Sequence, residues 1–180
     1  TQEGIYRHFS TIADTCDIPI VLYNVPGRTG VGIAAETVAR LVKNRNVLGV
    51  KEAAGSVERV SEILSLCDTS IMCGDDSLTV PMMLLGAKGV ISVASNIIPA
   101  ELKKMTDACA SGDFMTAVAM HRKYWRLFKD LFVESNPIPV KAAMAMLGMI
   151  EEEYRLPLCP LSDVNREKLR KTVSECIRSV

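Results

Sequence analysis

Four short apolar runs, each followed by small or polar residues, constrain the fold of this chain more than any other feature. They cover residues 18–24, 47–52, 70–73 and 89–94. Continuously apolar runs of this length, separated by helical stretches of roughly ten residues, are typical of buried parallel strands joined by crossover helices. The sequence therefore predicts an α/β fold with a parallel sheet in its first part.

The segments between and after these runs predict helices, because their apolar residues recur at helical spacing. Ser56 is a candidate N-cap, and Gly86 is a candidate C-cap. The last third of the chain contains helical patterns only. The predicted helices cover residues 1–17, 34–43, a stretch from about Ser56, 77–85, 99–110, 114–133, 138–149 and 163–178.

Three residues with reactive or charged side chains lie at the ends of the first two strands or directly after them. Tyr23 ends the first run, Arg28 lies in the turn after it, and Lys51 lies near the end of the second run. In parallel α/β folds, binding and catalytic sites form at the C-terminal ends of the strands. The sequence therefore predicts that Tyr23, Arg28 and Lys51 share one rim of the sheet.

Lys51 has three possible roles at the end of a buried strand. Its ammonium can extend to water, or it can pair with a carboxylate. Alternatively, an apolar pocket favours the neutral amine, which can form a Schiff base with a carbonyl substrate. By strand alternation Glu52 points to the opposite face, so we do not expect it to be the partner of Lys51.

The neighbouring candidates also have structural alternatives. Tyr23 can be a half-buried aromatic residue or a proton carrier beside Lys51. Arg28 can be a solvated turn arginine or a bidentate clamp on a substrate carboxylate. The pair Asp75 and Asp76 could suggest a metal site, but capping of the helix that follows is the favoured interpretation.

Composition and charge exclude several classes of protein. The formal net charge is zero, which gives no basic excess for nucleic acid or an anionic membrane. No run of 18 apolar residues occurs, and two histidines are too few for a histidine-rich metal site. The six cysteines contain no C-x-x-C pair, and we interpret them as buried free thiols of a reducing compartment.

Five segments in order resemble one family. They are Tyr-Asn-Val-Pro-Gly-Arg-Thr-Gly at 23–30, Gly-Val-Lys-Glu-Ala at 49–53, Gly-Asp-Asp at 74–76, Gly-Val-Ile-Ser at 89–92 and Asn-Pro-Ile-Pro-Val-Lys at 136–141. Together they are similar to the class I aldolase family of dihydrodipicolinate synthase and N-acetylneuraminate lyase. The resemblance implies a TIM (β/α)8 barrel followed by C-terminal helices.

The resemblance also implies roles for individual residues. Lys51 is similar to the lysine that forms a Schiff base with pyruvate, and Tyr23 to the tyrosine that relays protons to that adduct. Arg28 matches the arginine that, in the synthase branch, holds the carboxylate of the second substrate. Ile91 matches the position whose backbone carbonyl faces the pyruvate site.

The implied reaction joins pyruvate and L-aspartate 4-semialdehyde into 4-hydroxy-tetrahydrodipicolinate, on the route to diaminopimelate and lysine. The resemblance implies no metal and no cofactor, and only small molecules as substrates. It also implies a homotetramer and a cytoplasmic enzyme. Two alternatives remain open. One is a sister pyruvate aldolase acting on N-acetylneuraminate or 2-keto-3-deoxygluconate, and the other is a non-catalytic half-barrel that serves in assembly.

The resemblance covers only the second half of the barrel, strands five to eight. We therefore expect residues 1–98 to form that half-barrel, and residues 99–180 to add the last barrel helix and the C-terminal helices of the same structural unit. Thr1 lies where no initiator methionine or leader can be recognised, so we expect the chain to begin within a domain. A half-barrel has open sheet edges, and we expect this chain alone to be inactive.

Overall fold

The computed structural model describes residues 1–177 and divides the chain into two compact units, Thr1–Ile91 and Ser92–Val180. The predicted domain boundary lies at residues 98/99, seven residues after the division between the units. That boundary, and the expectation that both segments form one structural unit, stay predictions. The end of the predicted helix 163–178 and of the segment 99–180 lies outside the described residues.

The first unit contains a parallel sheet of four strands in the order β1-β2-β3-β4. Sequential order arises because each strand is followed by a crossover segment that returns the chain to the next position. The predicted parallel α/β fold is therefore confirmed. The strands are β1 Ile20–Asn24, β2 Val47–Glu52, β3 Ser70–Cys73 and β4 Gly89–Val90.

Five helices precede or connect these strands; four lie close to the predicted positions, and α2 forms where the sequence predicted a turn. Ser56 does not cap a helix, because α4 begins at Glu58 and makes no side-chain cap bond. Gly86 follows α5 with φ of 116°, a backbone conformation that glycine adopts without strain. The helices are α1 Gln2–Thr15, α2 Pro26–Thr29, α3 Ala35–Leu41, α4 Glu58–Leu66 and α5 Thr79–Leu84.

The two faces of the sheet differ in burial. Leu22, Val50 and Ile71 lie on the face that the helices cover, and each is wholly buried. On the other face, Val21 and Tyr23 are exposed, and so is Ile91, just after β4. The four described strands thus leave one largely apolar face and the outer edges of β1 and β4 uncovered within the first unit. Such edges and faces favour pairing with further strands.

The second unit consists of four helices within the described residues. Helix α7 packs against α6 and α9, and α8 packs against α9. The predicted helix at 114–133 ends earlier, at Asp130, whose buried carboxylate accepts a hydrogen bond from Thr172 at 2.6 Å. A short 3-10 turn, Ala94–Asn96, precedes α6 and replaces the end of the predicted strand 89–94. The helices are α6 Pro99–Ser111, α7 Phe114–Asp130, α8 Ile138–Met146 and α9 Asp163–Cys176.

The six cysteines are free thiols, but they are not all buried as predicted. Cys16 and Cys159 are exposed, whereas Cys73 and Cys109 are buried. Burial raises the pKa of the Cys73 thiol to about 12, so this group stays protonated near neutral pH. In the part of the chain that is described, no helix has both the length and the apolar character needed to cross a membrane.

Candidate functional site

Tyr23 and Lys51 meet at the C-terminal ends of β1 and β2. They are register partners in the two parallel strands, and the Lys51 Nζ atom lies 4.2 Å from the centroid of the Tyr23 ring. Side chains of paired residues in neighbouring strands project to the same face. The predicted proximity of the phenol and the amine is therefore confirmed, while the chemical roles of both residues stay predictions.

The space around Lys51 depends on a glycine in the next strand end. A Cβ atom at Gly74 would lie 2.5 Å from the Cβ of Ala53 and 3.2 Å from Cε of Lys51. The first contact is closer than Cβ atoms tolerate, so a side chain at this position would displace the turn that follows Lys51. The sequence singled out Gly-Asp-Asp only as part of the resemblance, and it gave no signal that Gly74 makes room for the lysine.

The other two predicted site residues lie just beyond the C-terminal ends of their strands. Arg28 is exposed on α2, the one-turn helix directly after β1. Ile91 follows β4, its backbone N–H donates to the Cys73 carbonyl at 2.9 Å, and its side chain is 44% exposed. Among the described residues, no hydrogen bond, ion pair or ring contact joins Arg28 or Ile91 to Tyr23 or Lys51. It therefore brings together two of the four predicted residues, and the roles of the others stay predictions.

Glu52 points away from Lys51, as predicted. Its carboxylate lies on the helix-covered face of the sheet and accepts hydrogen bonds from the Asn24 side-chain amide at 2.8 Å. Arg59 on α4 donates to the same carboxylate at 3.3 Å. Sequence reasoning did not find Asn24 or Arg59, because an asparagine at a strand end and an arginine on a helix have no distinctive pattern.

The capping role favoured for Asp75 is wrong, and the same role for Asp76 stays a prediction. The chain forms a 3-10 turn at Asp76–Leu78, and the Asp75 side chain makes no cap bond to it. Burial raises the pKa of the Asp75 carboxyl, the negative charges of Asp76 and Glu52 add to this, and the Lys51 ammonium opposes it. Within residues 1–177, no group of three or more histidine, cysteine or acidic residues is arranged to hold a metal ion.

The sequence matches one protein family along nearly its whole length. The sequence model of the dihydrodipicolinate synthetase family matches residues 1–176. The 4-hydroxy-tetrahydrodipicolinate synthase of Geobacter metallireducens is 50% identical over 177 residues, covering 97% of this chain and 61% of that enzyme. The chain thus spans about 60% of the length of the relatives it matches.

Solved structures agree with the sequence comparison. The 4-hydroxy-tetrahydrodipicolinate synthase of Methylacidiphilum fumariolicum SolV matches with a TM-score of 0.97 and 47% identity, over 99% of this chain and 60% of that one. The dihydrodipicolinate synthase of Aquifex aeolicus matches with a TM-score of 0.95 and 48% identity, over 97% and 61%. These matches confirm the predicted fold class, part of a (β/α)8 barrel followed by C-terminal helices.

Proposed function

The chain belongs to the dihydrodipicolinate synthetase family, and we propose that it carries the Schiff-base site of a synthase that condenses pyruvate with L-aspartate 4-semialdehyde. The product is 4-hydroxy-tetrahydrodipicolinate, on the route to diaminopimelate and lysine. One observation above all supports this proposal, namely that the Lys51 amine lies over the Tyr23 ring at the C-terminal rim of the sheet. A nucleophile and a proton carrier on adjacent strand ends are what imine chemistry requires.

The proposed reaction follows from the chemistry of a neutral amine. Lys51 Nζ attacks the pyruvate carbonyl carbon, a C–N bond forms, and water leaves to give a protonated imine. The imine withdraws electrons, so the pyruvate methyl group loses a proton and becomes a nucleophilic enamine. The enamine carbon then forms a C–C bond to the aldehyde carbon of the second substrate. The amino group of that substrate displaces Lys51 from the imine carbon, which closes the ring and releases the lysine amine. Tyr23 delivers and accepts protons in these steps, and the 4.2 Å distance between its ring centroid and Lys51 Nζ supports this role.

Two further residues complete the proposed site. Arg28 on α2 binds the carboxylate of the second substrate through its planar guanidinium, a geometry suited to bidentate recognition. Its exposed position supports the assignment, since the side chain is free to turn towards a ligand at the rim. The backbone carbonyl of Ile91, at the end of β4, faces bound pyruvate.

Replacing Arg28 with alanine distinguishes the synthase from a sister aldolase. In the fusion enzyme defined below, we expect Arg28→Ala to keep pyruvate imine formation on Lys51, while kcat/KM for L-aspartate 4-semialdehyde falls roughly tenfold to 100-fold, the value of a hydrogen bond to a charged group. Steady-state kinetics and adduct mapping measure the two effects separately. Arg45→Ala is the matched control, because Arg45 is also exposed but precedes β2 at the opposite strand end.

The outcome of that experiment decides between the two aldolase reactions. Unchanged use of L-aspartate 4-semialdehyde by Arg28→Ala would contradict the role proposed for this arginine. Cleavage of N-acetylneuraminate or 2-keto-3-deoxygluconate by the unaltered fusion enzyme would instead favour the sister aldolase.

Adduct formation also tests whether the chain needs a complementary segment. We define the fusion enzyme as this chain joined behind the part of the Methylacidiphilum fumariolicum SolV synthase that it does not match. After pyruvate and sodium borohydride, we expect intact mass and peptide mapping to show reduced pyruvate on Lys51 of the fusion enzyme. The chain alone should remain unlabelled, because within the first unit the described strands leave one face of the sheet and both outer edges uncovered.

Two results would overturn these expectations. Efficient labelling of Lys51 in the chain alone would show that no complementary segment is needed for imine formation. A folded fusion enzyme that forms no adduct in excess pyruvate would demote Lys51 to a structural lysine and favour a non-catalytic half-barrel. The homotetramer and the cytoplasmic location implied by the resemblance are part of the proposal, and sedimentation of the fusion enzyme tests the first.

A further inference from the structure

A buried polar cluster lies directly behind the proposed site, on the helix-covered face of the sheet. We call it the Glu52 cluster, and it consists of Asn24, Glu52 and Arg59. Glu52 is 1% exposed and Asn24 is 2% exposed. The Asn24 amide donates to both carboxylate oxygens at 2.8 Å, and Arg59 Nε donates to one of them at 3.3 Å. The carboxylate is thus held by several donors and by an opposite charge.

The Glu52 cluster connects four segments of the first unit. The backbone N–H of Ala54, after β2, donates to Glu52 at 2.9 Å. The backbone N–H of Ile33, before α3, donates to the Asn24 side-chain oxygen at 2.9 Å, and the Ile33 carbonyl accepts from Arg59 at 2.7 Å. The end of β1, the segment after α2, the turn after β2 and helix α4 therefore share one hydrogen-bonded network.

The Glu52 cluster is adjacent in sequence to both members of the proposed catalytic pair. Tyr23 pairs with Lys51 in the register of β1 and β2, and Asn24 pairs with Glu52 one residue further along. Successive residues of a strand project to opposite faces. The side-chain bond between Asn24 and Glu52 on one face thus fixes the relative position of the strand ends that carry Tyr23 and Lys51 on the other.

Stability alone does not account for a charged group at this place. Removing a carboxylate from water is costly, and apolar residues of similar size often replace a buried ion pair without loss of stability. Hydrogen bonds differ from apolar contacts because they fix distance and direction. We infer that the Glu52 cluster positions the Tyr23 phenol against the Lys51 amine, so that Asn24 and Glu52 are positioning residues of the imine chemistry. This inference rests on the proposed function.

Glu52→Gln in the fusion enzyme tests the inference. Glutamine keeps the size of the side chain but removes the charge and places an amide donor among the donors of Ala54, Asn24 and Arg59. We expect the maximal rate of borohydride-trapped adduct formation on Lys51, per folded molecule, to fall about tenfold through misplacement of the reacting groups. The pyruvate concentration for half-maximal rate should change less than twofold, because the cluster does not touch the pyruvate itself.

Thr37→Val provides the matched control. Thr37 on α3 is also buried in the first unit and donates a hydrogen bond, to the Gln2 side chain at 2.9 Å, but it is not adjacent to Tyr23 or Lys51 in either strand. This variant should lose stability and keep the adduct rate per folded molecule. If Glu52→Gln does not fold, Asn24→Ser is measured instead, with the same expected fall in rate, because the shorter side chain cannot bridge Glu52 and Ile33.

A double variant separates positioning from general weakening. In a Tyr23→Phe background, Glu52→Gln should lower the rate by much less than tenfold, because the hydroxyl group that the Glu52 cluster positions is already absent. Equal losses in both backgrounds, or a single-variant rate within twofold of the unaltered enzyme, would overturn the inference and leave the proposed function intact. Failure of the unaltered fusion enzyme to form any adduct would instead refute the proposed function, and the inference with it.

Discussion

Lys51→Arg should abolish the pyruvate adduct of the fusion enzyme and lower synthase activity by at least roughly 10³-fold, as expected on loss of a covalent nucleophile. Arginine keeps a long cationic side chain that can lie over the Tyr23 ring as the lysine does. The guanidinium stays protonated in proteins, however, and cannot form an imine with a carbonyl. The loss should therefore appear in the chemistry while the fold is preserved. Intact mass after borohydride reduction and steady-state turnover measure the two consequences.

The control for this substitution is Lys88→Arg. Lys88 is exposed and directly precedes β4, at the strand end opposite to Lys51. We expect its replacement to leave both the adduct and the turnover unchanged. A reduced pyruvate adduct on another lysine of the Lys51→Arg variant, with activity retained, would contradict the assignment of Lys51 as the Schiff-base residue.

Gly49→Ala should give a large loss of stability, about 3 kcal/mol, the cost of forcing extra atoms into a packed site that cannot relax easily. Gly49 lies in β2 and pairs with Val21 on one side and Ser70 on the other. A Cβ atom there would lie 2.1 Å from the backbone carbonyl oxygen of Ser70. Because the obstructing atom belongs to the backbone of a paired strand, β3 must shift, and the strand end that carries Lys51 shifts with it. Urea unfolding of the fusion enzyme measures the free energy.

Gly27→Ala is the corresponding control within the same unit. Gly27 lies in α2, and a Cβ atom added there meets no other atom within 4 Å. Alanine is also favoured over glycine inside a helix. We expect its free energy of unfolding to stay within about 0.5 kcal/mol of the unaltered protein. Equal effects of the two substitutions would show that the contact with Ser70 does not determine the stability of the sheet.

The strands were predictable because their signal is local. The run at 47–52 is continuously apolar up to its last two residues, and the structure gives β2 the same bounds, Val47–Glu52. Strand β4 ends at Val90 instead of 94, although the segment Ile91-Ser92-Val93-Ala94 has the composition of a strand. The last residue of the predicted run, Ala94, begins a 3-10 turn instead, and composition alone does not reveal that turn.

The candidate site was predictable only in part. Sequence position placed Tyr23 and Lys51 at strand ends, and alternation correctly sent Glu52 to the opposite face. Neither pattern could show that Arg59, seven residues after Glu52, reaches back to its carboxylate. The role of Asp75 was misjudged, because a 3-10 turn takes the place of the helix start that an aspartate would cap.

The sequence by itself determined the strand order, most of the helices, the parallel sheet, the rim on which Tyr23 and Lys51 lie and, through its motifs, the family. These follow from short-range patterns, since strand alternation and helical spacing act over a few residues. Only the tertiary structure decided the register that brings Lys51 over Tyr23 and the space beside Lys51 that Gly74 leaves free. The same is true of the buried network of Asn24, Glu52 and Arg59. Each of these depends on the packing of segments far apart in the chain, which no local pattern encodes.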